Sequence, residues 1–380
     1  MTNINECAYC ESVITKENDS REHIIPNSIG GKQTVCGFIC KDCNNSLGNS
    51  WDFELSERLK WFTLALGVKR DRVQNKNQSM AIKTKDGTNL NLTSEGVLTP
   101  QEPFFESTPY DNKVNIRMLA RTEHEAKNMW RGVKNKYPQS DVGEPLKIQQ
   151  FKVNSPHGIN LSFNGVNLNC SVVKTALAMC FNLGIKPRDC EVGIKTLKNT
   201  TGSNDVCSFY INDVVLDRPH GLLFHLVALR GDSKKSTLIA YVEYFGVMRK
   251  VIKLSNQFNG KSFDSVYSIN PQTRKELDLS VNLDIPEEEL GAAFNGLAYP
   301  DSFSNACNNA FKISEGIRVM RERQYVFRNE LLKARVHLGI EKNSTPKLKD
   351  AEEFNRFMTK QIGPIEDYIN NAPPLPKRKK

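Results

Sequence analysis

Three stretches near the start of the chain decide its fold: CAYC (7–10), SREHIIPNSIGG (20–31) and CGFICKDCNNSLGNSWD (36–52). The first and third each contain a Cys-x-x-Cys pair, and 29 residues separate the two pairs. Four thiolates arranged as two such pairs form the closed tetrahedral ligand set of a structural zinc site. The spacing therefore predicts a zinc bound by Cys7, Cys10, Cys40 and Cys43. The alternatives are two chance pairs in a cysteine-rich segment, or a redox pair without the βαβ context that such a pair needs.

The composition is that of a globular chain, with 380 residues, 39% hydrophobic and 25% charged. This excludes a fibrous or largely disordered protein. No apolar run approaches the ~18 residues of a membrane span, and the start MTNINECAYC lacks the basic and apolar regions of a signal peptide. We therefore expect a cytoplasmic protein without a membrane partner, in which cysteines rarely form disulfides.

Six of the ten cysteines lie outside the two pairs. A lone cysteine usually behaves as a small buried apolar residue, and this is the interpretation for Cys170, Cys180, Cys190, Cys207 and Cys307. Cys36, close to the second pair, is either such a filler or a fifth candidate thiolate.

The charge is uneven along the chain. The net charge is +9, and residues 310–380 contain 16 Lys+Arg against 9 Asp+Glu, whereas the first 70 residues contain 8 against 9. A basic surplus suits a polyanionic partner such as DNA. The candidates for backbone contact on the C-terminal helix are Arg318, Arg321, Arg323 and Arg328. The alternative is a solvated helix face.

The patterning predicts an α+β fold with an N-terminal ββα-metal module, a mixed α/β central domain and a helical C-terminal part. We predict boundaries at 1–68 for the zinc-stapled module with its following helix, 69–285 for the mixed domain, and 286–370 for the helical basic region. Residues 371–380, rich in proline and lysine, predict a disordered basic tail.

Local patterns predict several elements within these boundaries. They are a helix over Trp51–Val68, a hairpin at Asp86-Gly87, a helix over Arg121–Pro138, strands over Ile148–Leu168, a buried helix with Ser171 as N-cap and Gly184 as C′, and antiparallel strands from Leu222. In the C-terminal helix, an apolar face is predicted from Ile317, Met320, Phe327, Leu331 and Leu338.

The residues between the cysteine pairs carry the chemistry. EHIIP (22–26), Gly30-Gly31 and the Cys-x-x-Cys-Asn of residues 40–44 together resemble the HNH endonuclease family, in its zinc-stapled ββα-metal form. The resemblance covers about residues 7–52. It implies that His23 is the general base and that Glu22 and Asn44 bind the catalytic cation. Gly48 and Asp52 match a glycine and an acidic residue that follow this asparagine in many members.

The residue types suit this chemistry. Histidine titrates near neutrality and can deprotonate an attacking water. Oxygen donors such as Glu22 and Asn44 suit Mg²⁺ or Mn²⁺ rather than a second zinc, and Arg21 is placed to contact phosphate. Each residue also has a structural alternative: His23 at the surface, Glu22 paired with Arg21, and Asn44 capping a helix. For Asp52 the alternative is a first-turn acid.

One position departs from the family pattern. Many HNH proteins have a middle asparagine that orients the histidine, about five residues before the second cysteine pair, and here that position is Val35. The orienting group is therefore missing or supplied from elsewhere, for example by a backbone carbonyl.

These observations lead to a hypothesis and two alternatives. The first is a metal-dependent endonuclease that hydrolyses DNA, of the kind found in restriction, anti-phage defence and mobile elements. The second is a catalytically inactive zinc-binding module that binds nucleic acid, which the missing asparagine supports. The third is an interaction module in which zinc has only a structural role.

Overall fold

The computed structural model describes residues 5–71, 78–85, 87, 89–111, 113–138, 157–158, 161–199, 205–210, 212–296, 300–340, 351–353 and 355–356. Its strands are β1 Glu22–His23, β2 Thr34–Val35, β3 Ser79–Thr84, β4 Asn89–Thr93, β5 Leu98–Pro100, β6 Phe104–Tyr110, β7 Lys113–Leu119, β8 His157–Gly158, β9 Cys207–Phe209, β10 His225–Asp232, β11 Thr237–Tyr244, β12 Met248–Ser255, β13 Phe263–Asn270 and β14 Lys275–Glu276. Its α-helices are α1 Lys41–Leu47, α2 Phe53–Arg58, α3 Lys60–Leu66, α4 Glu123–Lys136, α5 Val166–Asn182, α6 Glu191–Lys198, α7 Glu287–Phe294 and α8 Pro300–His337.

The chain divides into two compact units. The first contains the described residues within 1–74 and 161–315, and the second contains those within 75–160 and 316–376. Among the described residues, no helix has the length and apolar character needed to cross a membrane.

The first unit is built on a six-stranded antiparallel sheet, with strand order β14-β13-β10-β11-β12-β9. The central strands form consecutive hairpins, in which His225 pairs with Tyr244 and Tyr244 pairs with Met248. β11 is buried along nearly its whole length, as expected for a strand covered on both faces. The predicted antiparallel strands from Leu222 are confirmed.

A buried helix, α5, packs close to this sheet, where the Thr175 hydroxyl lies 2.8 Å from the Tyr244 hydroxyl. Every residue from Leu168 to Cys180 is buried. Gly184, at φ +81°, ends the helix as predicted. The predicted start was wrong, because the helix begins at Val166 and Ser171 lies inside it; the serine hydroxyl bonds a distant side chain instead of capping.

The N-terminal residues of the first unit form a short antiparallel strand pair, β1 with β2, followed by α1. Glu22 lies opposite Val35 in the pair. Between the strands the chain turns so tightly that a Cβ on Gly31 would lie 1.7 Å from the Ile25 carbonyl oxygen. The helix predicted over Trp51–Val68 is present as α2 and α3, with a break at Leu59.

The second unit contains a four-stranded sheet with order β5-β4-β3-β8, and the β6-β7 hairpin. The hairpin predicted at Asp86-Gly87 is confirmed by the pairing of β3 with β4, although Asp86 itself lies outside the described residues. The predicted helix over Arg121–Pro138 is α4, whose N-cap Thr122 accepts a bond from the Glu125 amide at 3.1 Å. Of the strands predicted over Ile148–Leu168, β8 forms at His157–Gly158, but the prediction was wrong over 161–168, where 161–165 form no strand and α5 begins at Val166. Residues 148–156, 159–160 and 371–380 lie outside the described residues.

The predicted apolar face of α8 was wrong. Met320 is 41% exposed and Phe327 50% exposed. The buried residues of this part of the helix include Arg318, Glu322 and Val326, at four-residue spacing. A paired arginine and glutamate occupy the buried face, which hydrophobic periodicity alone does not reveal.

Candidate active site and metal centre

The four cysteines of the two Cys-x-x-Cys pairs come together in the structure. Their sulfur atoms all lie within 4.8 Å of one another, and Cys10 Sγ is 3.7 Å from Cys40 Sγ. Two sulfurs bound tetrahedrally at about 2.3 Å from one zinc ion are about 3.8 Å apart. The cluster of Cys7, Cys10, Cys40 and Cys43, hereafter the cysteine cluster, therefore fits a structural zinc site.

Local backbone geometry brings the two pairs together. The Cys40 amide donates to Cys7 Sγ at 3.4 Å, a contact that joins the first pair to the second. Glu11 adopts φ +62° just after the first pair and lets the chain turn back. The Gly37 amide donates to the Asp19 carboxylate at 2.7 Å, which ties the loop before the second pair.

The thiols differ in their protonation. The Ser12 hydroxyl, 3.0 Å from Cys10 Sγ, lowers the pKa of Cys10 to about 6. Burial raises the pKa of Cys7 and of Cys43. Four thiols this close cannot all ionise without a cation between them, and a bound metal would supply one. Cys36 is exposed and does not belong to the cysteine cluster, which corrects both sequence interpretations of it.

His23 ends β1 and keeps 22% of its side chain exposed. Its Nε2 lies 2.7 Å from Asp71 Oδ2. Arg274 contacts the other carboxylate oxygen of Asp71 and donates to the Gly31 carbonyl at 2.9 Å. Asp71 and Arg274 are 48 and 251 residues from His23 in sequence, and no signal in the sequence indicated either.

Glu22 is buried, with 4% exposed. Its Oε1 lies 2.7 Å from Lys174 Nζ, and the same ammonium lies 2.6 Å from Asp52 Oδ2. The Ser171 hydroxyl donates to Asp52 Oδ1 at 2.6 Å. Glu22 is thus paired with Lys174 and not with Arg21, which is exposed. We call the buried Glu22 and Lys174, together with the partly buried Asp52, the buried triad.

Two opposing effects determine the pKa of Lys174 in the buried triad: burial and the charge of the neighbouring carboxylates. Lys174 is 1% exposed, and burial acts to lower its pKa. The carboxylates of Asp52 and Glu22 more than offset this burial and raise the pKa of the ammonium. Lys174 is therefore a cation inside the protein, held by two acids.

Asn44 lies in the helix that follows the second cysteine pair. Asn44 is inside α1, where its amide donates to the Cys40 carbonyl at 2.9 Å. Since Cys40 is the N-cap of α1, Asn44 does not cap the helix. The half-buried Asn44 side chain remains the predicted second ligand of a catalytic cation. The Gly48 amide donates back to the Asn44 carbonyl at the end of this helix.

Two of the arginines predicted to contact DNA, Arg318 and Arg321, lie in the second unit. Arg318 is 5% exposed, and it donates to the Gly96 carbonyl at 2.9 Å and to Glu322 at 2.8 Å. Arg321 donates to the Ser94 carbonyl at 2.6 Å. These contacts correct the expectation for Arg318, because a buried guanidinium that holds a turn does not face a phosphate backbone. Arg321 is likewise bonded to that turn.

His225 is a core histidine, as predicted. It is fully buried, and its Nε2 donates to the Ile29 carbonyl at 2.8 Å. Burial lowers the pKa of His225 to about 4, so its ring is neutral. The bond connects the sheet to the loop between β1 and β2.

Comparison with known proteins supports the resemblance over this part of the chain. Residues 7–60 match the family model described as HNH endonuclease. No curated protein and no solved structure matches the chain. The resemblance predicted from residues 7–52 is confirmed by this match, which covers residues 7–60.

Proposed function

We propose that this protein is a metal-dependent endonuclease that hydrolyses phosphodiester bonds in DNA. The observation that carries the proposal is the position of His23 within the matched segment, on β1, partly exposed and next to Glu22. Its imidazole would take the proton from the attacking water, since a histidine near neutral pH suits a general base. The exposed Arg21 would contact the phosphate beside the scissile bond.

Glu22 and Asn44 would hold the catalytic Mg²⁺ or Mn²⁺. Glu22 Oε1 already contacts Lys174, so the second carboxylate oxygen would be the ligand. Two oxygen donors leave coordination positions for substrate and water, as a catalytic divalent cation requires. Such a cation would stabilise the charge that develops on the phosphate and on the leaving oxygen.

A zinc ion on the cysteine cluster would have a separate role. It would hold β1 and β2 against α1, and these elements would form the ββα-metal arrangement of the proposed nuclease module, residues 1–68. The mixed domain (69–285) and the helical region (286–370) would bind or select the DNA target. A role in restriction, anti-phage defence or a mobile element is part of the same proposal.

A second candidate function is a catalytically inactive module that binds nucleic acid. The observation that favours it is the buried triad, in which Lys174 neutralises the carboxylate expected to bind the cation. A pure binder would retard DNA in a gel without cutting it.

The test incubates supercoiled plasmid with the full chain, with and without Mg²⁺ or Mn²⁺, beside the variant His23→Ala. Loss of a general base lowers the rate by about 10²–10⁴-fold, and zinc content should stay unchanged. The matched control is His124→Ala, which changes an exposed histidine on α4. Equal cleavage by His23→Ala and wild type would exclude His23 as the base. DNA binding without cleavage in either cation would support the inactive module.

A further inference from the structure

We infer that Asp71 and Arg274 are the positioning residues for His23, and that they replace the asparagine missing at Val35. This inference rests on the proposed function, because it assigns a role to residues that act through the general base. Val35 is aliphatic, buried and opposite Glu22 in the strand pair, so its side chain cannot hydrogen-bond to the imidazole.

The carboxylate of Asp71 is held from several directions. Oδ2 lies 2.7 Å from His23 Nε2, and Oδ1 contacts the Arg274 guanidinium. The Asp71 amide donates to Asn27 Oδ1 at 3.0 Å, which fixes the backbone of the same residue. A carboxylate with both oxygens engaged and its backbone tied has little freedom to rotate.

Arg274 is itself held in place by hydrogen bonds. Its amide donates to the Asn270 carbonyl at 2.7 Å, at the end of β13, and its backbone adopts φ +59°. Its guanidinium also donates to the Gly31 carbonyl at 2.9 Å. Arg274 therefore links the β13-β14 turn, Asp71 and the loop between β1 and β2, and it holds Asp71 where His23 can reach it.

The contact determines which ring nitrogen of His23 carries the proton. A carboxylate accepts hydrogen bonds, so in the neutral ring Nε2 is the protonated nitrogen and Nδ1 keeps its lone pair. The structure gives Nδ1 no hydrogen-bond partner among the described residues. Hydrogen bonds from Arg274 and His23 also lower the pKa of Asp71, which keeps the acceptor ionised. Nδ1 is thus the atom that would accept a proton from water.

The kinetic test compares Asp71→Ala and Asp71→Asn with wild type on a duplex oligonucleotide in Mn²⁺. Loss of orientation costs on the order of 10²-fold, so kcat should fall about 10- to 100-fold in Asp71→Ala with KM unchanged. Asp71→Asn retains an acceptor oxygen and should recover part of the loss. The control is Asp264→Ala, which removes an exposed acid paired with Arg230. An unchanged kcat in Asp71→Ala, with active wild type, would overturn the inference.

A second readout does not require cleavage. Long-range ¹H–¹⁵N spectra of histidine-labelled full chain at about pH 8 distinguish the two neutral tautomers, and the His23 signals are assigned by their loss in His23→Ala. We expect the Nε2–H tautomer in wild type and a mixture in Asp71→Ala. The same tautomer in both proteins would overturn the inference. Absence of cleavage by wild type, with the tautomer shift present, would reject the nuclease and retain the positioning contact.

Discussion

The cysteine cluster and the surroundings of His23 lie on the same short segment but are assembled differently. All four sulfurs come from residues 7–43. His23 and its neighbour Glu22 instead depend on three residues from outside the HNH segment: Asp71, Lys174 and Arg274. A metal site needs donors of the right type and spacing, whereas a base needs partners that only the tertiary structure brings close. The cysteine cluster can therefore be predicted from local sequence, whereas the partners of His23 cannot.

The largest effect is expected at the cysteine cluster. Cys40→Ser removes one of four ligands, and structural zinc contributes on the order of 10 kcal/mol to folding in small zinc modules. We expect loss of zinc and unfolding of the N-terminal segment, measured by metal analysis and limited proteolysis. Cys36→Ser, an exposed cysteine outside the cysteine cluster, is the control. A Cys40→Ser protein that retains zinc and resists the protease would refute the four-thiolate site.

The second-largest effect is expected at the buried triad. Lys174→Met leaves the buried Glu22 and the partly buried Asp52 without their cation, and breaking a buried pair in this way costs about 3–5 kcal/mol. The thermal midpoint should drop clearly, and adding Glu22→Gln to Lys174→Met should restore part of it. Lys60→Met, which breaks a pair with the partly exposed Glu57, should change stability by about 1 kcal/mol or less. Equal thermal midpoints for the two lysine variants would show that Lys174 on α5 does not stabilise the protein through Glu22 and Asp52.

The smallest effect concerns His225, which joins the sheet to the loop after β1. Burial lowers the pKa of His225 to about 4 in the folded protein, against about 6.5 for a solvent-exposed histidine. The unfolded chain therefore takes up a proton first, and the stability from this group is present above about pH 6.5 and lost as pH falls towards 4. Between about pH 7 and 5 the loss should be about 2 kcal/mol. In His225→Gln the thermal midpoint should fall less over this range. Parallel pH profiles for the two proteins would show that His225 ionises equally when folded.

Part of the candidate site could be predicted from sequence. Short-range patterns identified the cysteine cluster, His23 and the hairpins of the large sheet, because spacing and alternation are local properties. Lys174 also has a signal in the sequence. A single lysine in the apolar run SVVKTALAMC (171–180) must find a partner when the helix is buried.

The features that the sequence did not predict depend on long-range contacts. Asp71 and Arg274 lie in polar stretches without periodicity, and only the fold places them beside His23. Ser171 has the residue type of an N-cap, but its hydroxyl bonds Asp52. Arg318 has the charge of a DNA contact, but its guanidinium holds the Gly96 carbonyl. For Ser171 and Arg318, a tertiary partner binds a side chain whose local pattern predicted another role.

The distance in sequence between His23 and Arg274 has a consequence for synthesis of the protein. A nascent chain can gather the cysteine cluster once residue 43 has left the ribosome. Asp71 reaches His23 soon after, but the arginine that holds Asp71 emerges more than 200 residues later. A chain still being translated would carry an assembled cysteine cluster beside a His23 whose contacts are incomplete, so the arrangement of His23, Asp71 and Arg274 would form only after most of the protein had been made.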